Sequence, residues 1–297
     1  MSEPTTAGQA TPSRERAARP GAASGAAVAV ALVALAAAVV VGRGVTRASL
    51  AGSIPSGTVA DLLSYACIWV PLLAGVVVAG ALWWRVGRAG GGTGPGAGAG
   101  AGAGAAAGAG SATGVGDGHG WAGMIADRLG VRILPLDLVY GIVFGLLLRF
   151  VDAAVNLGMN GVTGLAPRAL LGDGPHGVDL VVLVVAPVIV SPLVEELFFR
   201  GLLQRSLAGL LAPPTGLRDA RASLPSITSV VVTAALFAFL HVAIVSEAPG
   251  LALVTVISTF AFGLAAGALV AATRRLGGAV VAHIVFNAVA VWLTWPR

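Results

Sequence analysis

Seven apolar stretches, each close to or beyond the roughly 20 residues that a helix needs to cross a bilayer, constrain this chain more than any other feature. They cover residues 25–41, 59–84, 133–157, 178–211, 227–245, 250–272 and 278–295. The expected fold class is all-α, a polytopic transmembrane helical bundle of about seven spans. Composition agrees: 57% of the 297 residues are hydrophobic and only 10% are charged, and the mean hydropathy is +0.91. So few polar side chains cannot clothe a soluble globule of this size, and a soluble enzyme is excluded.

The charges that remain are informative by position. All 18 basic residues are arginine. They stand singly between apolar runs rather than on a basic and aromatic face, which argues against nucleic acid as a partner. Counted over the loops, four arginines (Arg43, Arg47, Arg168, Arg297) fall on one side and twelve on the other. Positive charge is retained on the cytoplasmic side, so the reading is a multi-pass cell-membrane protein with its N-terminus in the cytoplasm. Cys67 is alone, so the chain has no disulfide framework and no cysteine metal site.

Composition also divides the chain. Residues 1–24 are rich in Pro, Ser, Thr and Arg and read as a disordered tail. Residues 25–88 hold a two-span membrane part. Residues 89–120, almost pure Gly and Ala through their centre, read as a flexible linker. Residues 121–297 form the second membrane part, which opens on 121–129, either a short interfacial helix anchored by Trp121 or more linker.

An ionisable side chain inside a span costs roughly 2.5–3.5 kcal/mol on insertion scales, so each one calls for a reason. The fourth span carries Glu195, Glu196 and Arg200 between apolar neighbours. Glu196 and Arg200 are four apart, share a helical face and can neutralise each other. Glu195 is rotated about 100° away and has no sequence-local partner. The expected outcome is one structural carboxylate and one reactive one. His241 lies in the fifth span, and His283 with Asn287 in the seventh, spaced to face one neighbour. Carboxylates, imidazoles and an amide from three helices are the inventory for activating a water and stabilising an oxyanion. Counted from the arginine-rich ends, His283 lies about 8 Å deep and His241 about 21 Å, and the site is expected nearer the cytoplasmic leaflet.

These residues resemble a known family. Glu-Glu-x-x-x-Arg at 195–200, Phe-x-x-x-His at 237–241 and His-x-x-x-Asn at 283–287, in this order on separate spans, look like the CPBP intramembrane proteases. That group is also called the Abi or CAAX-protease family and includes prenyl-protein endopeptidases. Pro192 before the glutamates and residues 199–201 after them fit its first motif. The resemblance covers about 178–295. It implies an endopeptidase that cleaves a membrane-associated protein or peptide within the bilayer. Glu195 would be the general base, His241 would hold the water, His283 and Asn287 would supply the oxyanion site, and Glu196 with Arg200 would brace the helix. Glutamic and metal-dependent mechanisms both stay open: Glu195, His241 and His283 could hold a divalent ion such as zinc, yet no local His-Glu-x-x-His pair makes the case.

A non-catalytic reading stands beside this one: a scaffold, an immunity-type protein or a small proton- or ion-coupled transporter using the same cluster. Arg149 and Asp152, three apart in the third span, are expected to pair structurally. His119 and His176 fall in polar loops, and Gly263 with Gly267 form a small-residue contact signal between helices.

Overall fold

The computed structural model describes residues 20–54, 57–90, 120–165, 177–212, 224–245 and 249–295. Among them there is no strand, and the chain runs through α1 (Pro20–Leu50), α2 (Thr58–Gly90), α3 (Trp121–Leu129), α4 (Pro135–Asn160), α5 (178–211), α6 (Leu224–Val245), α7 (Pro249–Thr273) and α8 (Gly277–Leu293). Six of the described helices are long and apolar enough to cross a membrane; α8, at 17 residues, is shorter. The chain is a multi-pass membrane protein. Helix α1 starts ahead of the expected boundary, since residues 20–24 are already helical. Residues 1–19, the Gly/Ala segment 91–119, His119 and His176 lie outside the described residues.

Helix α5 is one rod whose hydrogen-bond register changes along its length, with π-helical stretches at Val181–Val190 and Leu197–Gln204 around an α-helical Ser191–Glu196. Prolines explain the first stretch. Pro187 and Pro192 lack an N–H, and each removes an i to i−4 bond, so the backbone settles into the wider turn. The N–H of Ser191 reaches back to the carbonyl of Ala186, five residues earlier. Rod α5 is the centre of the bundle. Phe198, Phe199 and Leu202 are buried in one core that also contains Ala34 of α1, Leu72 of α2, Phe237 of α6 and Phe262 of α7.

Small residues let the neighbours come close. On α2, Gly75 faces Ala34 and Phe198; a Cβ there would stand 2.8 Å from the Ala34 Cβ. Gly263 meets the backbone of Ala234, and Gly267 meets Val230, so the Gly-x-x-x-Gly pair does seat α7 on α6. Gly141 and Gly145 seat α4 on α8. Helix α3 folds back onto α2 and α5: its Ile125 covers Gly80, and Leu129 lies against Gly201. Gly130, in the left-handed region at φ 71°, ends that helix.

The arginine-bearing helix ends are knitted together. Asp137, fully buried near the start of α4, accepts from Arg275 Nη2 at 2.9 Å and Nε at 3.1 Å and from the Leu134 N–H at 2.8 Å. Arg205 donates to the Arg274 carbonyl at 2.7 Å, and the Gly277 N–H reaches the Arg132 carbonyl at 3.2 Å. Helix α8 therefore begins level with the start of α4.

The α4–α8 contact sets where His283 stands, and it is sensitive to volume. A Cβ at Gly145 would lie 2.7 Å from the Ala282 carbonyl oxygen and 2.8 Å from the Val285 Cβ. Gly145→Val should destabilise the protein by about 1–3 kcal/mol through overpacking, read as a lower thermal midpoint in detergent. Gly158→Ala on the same helix, with nothing within 4 Å of the added methyl group, should leave the midpoint unchanged.

Candidate active site

The sequence places five ionisable groups at membrane depth on three helices, and folding brings all five together. Glu196 and Arg200, on one face of α5, are both fully buried, with Arg200 Nη1 3.1 Å from Glu196 Oε1. His283 Nδ1 stands 2.9 Å from the same oxygen. The guanidinium carbon of Arg200 lies 4.5, 5.7 and 6.0 Å from the ring centres of Phe237, Phe262 and Phe199. A buried cation wrapped in aromatic faces beside one carboxylate is held by charge more than by aligned hydrogen bonds. Among the described residues none offers an Arg200 nitrogen a well-aligned bond.

Glu195 points another way, as its 100° offset requires. Its Oε2 is 3.8 Å from His241 Nε2 and 3.9 Å from His283 Nε2, and it is buried with no hydrogen-bond partner among the described residues. The Nδ1 of His241 lies 2.9 Å from the Phe237 carbonyl of its own helix. A carbonyl can only accept, so Nδ1 carries the proton and Nε2 faces Glu195 with a lone pair when the ring is neutral. The side chains thus divide into a structural set of Glu196, Arg200 and His283 Nδ1, and an open set of Glu195 and two Nε2 atoms.

Asn287 has a further partner. Its Nδ2 donates to the Pro187 carbonyl at 2.7 Å. That carbonyl lacks a helical donor, because the Ser191 N–H is engaged with Ala186 and Pro192 has no N–H. One of the two amide hydrogens of Asn287 therefore fixes α8 against the π-helical stretch of α5.

Glu195, His241, His283 and Asn287 share a cavity of about 280 Å³. Two of its walls are absent from the sequence argument. Tyr65 and Ile68 of α2 line it, and Trp69 donates from Nε1 to Ser191 Oγ at 3.0 Å, one turn before Glu195. Arg149, besides its 2.7 Å pair with Asp152, donates twice to the Phe286 carbonyl, at 2.8 and 2.9 Å. Aromatic and serine positions in a span have no signature that marks them as site walls; only the intramembrane Arg149 was visible as unusual.

Depth is uneven across the site. His241 lies four residues from the end of α6 and Thr259 ten from the start of α7, toward the ends marked by Val245 and Pro249, whereas His283 lies six residues from the start of α8 at the arginine-bearing ends.

Among the described residues, no group of three or more His, Cys, Asp or Glu side chains is arranged to hold a metal ion.

Residues 177–289 match the family model described as type II CAAX prenyl endopeptidase Rce1-like. That segment is similar to the Rce1-like family. It holds every side chain of the ionic cluster, from Glu195 to Asn287, and the likeness supports an intramembrane protease in general. No curated protein and no solved structure matches the chain with significance. Helices α1 to α4 lie outside the Rce1-like segment, although α2 lines its cavity.

Removing one partner of a buried ion pair leaves the other charge stranded, at about 3–5 kcal/mol. Arg200→Ala should lose stability on that scale and accumulate poorly in the membrane, while Arg200→Lys should recover part of it, as quantified by detergent-solubilised thermal unfolding.

Proposed function

We propose that this protein is a glutamate-dependent intramembrane endopeptidase that cleaves a membrane-associated protein or peptide, with Glu195 as the general base. The observation that carries the reading is the unpaired Glu195 carboxylate, buried with two imidazole Nε2 atoms 3.8 and 3.9 Å away. Those separations are too long for direct hydrogen bonds and suit a water held slightly off the line between them.

In this mechanism the water oxygen attacks the scissile carbonyl carbon as Glu195 takes one of its protons, and His241 Nε2 accepts a hydrogen bond from the O–H that remains. The carbonyl π electrons move to oxygen, giving a tetrahedral oxyanion. Glu195 then returns the proton to the amide nitrogen, the C–N bond breaks, and a carboxylic acid and an amine leave. His283, held at Nδ1 by Glu196, turns Nε2 to the cavity and is the imidazole of the oxyanion site. The second amide hydrogen of Asn287, left over from Pro187, is the other donor. Glu196 and Arg200 hold His283 and do not touch substrate. With the arginine-rich ends in the cytoplasm, the N-terminus is cytoplasmic.

Purified protein in proteoliposomes should cleave a membrane peptide, and Glu195→Gln should reduce the rate by at least about a hundredfold with an unchanged thermal midpoint. Cleavage at the parental rate by the Glu195→Gln protein would overturn the proposal.

A further inference from the structure

A second cavity, of about 390 Å³, adjoins the catalytic one. The two share Tyr65 and Pro187 as walls. The junction is built firmly. Tyr65 stacks on Trp69 with ring centres 5.0 Å apart, its hydroxyl donates to the Val182 carbonyl at 3.4 Å, and Pro187 is tied down by Asn287. Beyond the junction the outer chamber is walled by Val182, Val291, Thr294 and Trp295, and among the described residues its single charged lining residue is Asp61.

Asp61 is exposed and sits one helical turn before Tyr65. Four residues of helix rise about 6 Å, the length of about two residues of extended chain. A peptide running from Glu195 past Tyr65 therefore brings a side chain to Asp61 about two residues beyond the junction. No described cation lines the chamber to balance that carboxylate.

Resting on the peptidase reading of the site, we propose that the two cavities form one substrate channel and that Asp61 is a specificity-determining residue. It selects peptides carrying a basic side chain in the outer chamber and disfavours those carrying a carboxylate there. The preference comes from α2, outside the segment that matches the family, so it is a property of this chain's own N-terminal helices.

The test separates binding from cleavage. Hydrophobic peptides with a single Lys or Glu scanned along their length are titrated by fluorescence anisotropy against Glu195→Gln protein in nanodiscs. The background is used as it stands or combined with Asp61→Asn or Asp61→Lys. At the responsive position the Lys peptide should bind about fivefold more tightly than the Glu peptide. That preference should vanish with Asp61→Asn and invert with Asp61→Lys. The same preference in all three proteins overturns the channel proposal. Cleavage of the peptide set by the parent protein is scored separately. An Asp61-dependent preference without cleavage would refute the peptidase reading and leave the channel standing, whereas cleavage without that preference would refute the channel alone.

Discussion

The buried triangle of Glu196, Arg200 and His283 is the interaction on which the rest of the site depends. Three charged or polar groups removed from both lipid and water are tolerable only together, because the penalty for stranding any one exceeds the gain from any single contact. Glu196 meets Arg200 along one helix at 3.1 Å and His283 across helices at 2.9 Å. That second contact fixes the rotation of α8 relative to α5. Once α8 is fixed, Asn287 falls on the orphaned Pro187 carbonyl, and the Nε2 of His283 is aimed at Glu195. The Glu195 carboxylate is what remains outside the triangle, and its lack of a partner is a consequence of its neighbours being satisfied.

The bundle supports that geometry from both sides. Prolines at 187 and 192 widen the turns of α5 just before the glutamates and leave a carbonyl for α8 to bind. Glycines on α4 press α8 inward, and the Asp137 to Arg275 pair with its backbone bonds sets the level at which α8 starts. Helix α2 closes the remaining side with Tyr65, Ile68 and Trp69. The first two helices are thus part of the site's wall even though the ionic chemistry is confined to the later ones.

Much of this was legible in the sequence because the chain is so apolar. Against that background Glu195, Glu196, Arg200, His241 and His283 stand out without any structure, and the four-residue spacing of Glu196 and Arg200 already pairs them. The angular offset of Glu195 likewise predicts its different surroundings. What could not be read were contacts between distant segments. Nothing local says that His283 spends Nδ1 on Glu196, that Asn287 binds a carbonyl exposed by two prolines, or that Tyr65 and Ile68 of α2 wall the cavity.

The central claim is that Glu195 activates water rather than attacking the peptide itself. Single-turnover cleavage of a membrane peptide in ¹⁸O-water, followed by mass spectrometry of product and protein, tests it directly. The account predicts one ¹⁸O in the new C-terminal carboxylate of the product and none in the Glu195 side chain. Label in the Glu195 carboxylate would mean that Glu195 had formed a covalent anhydride and would contradict it.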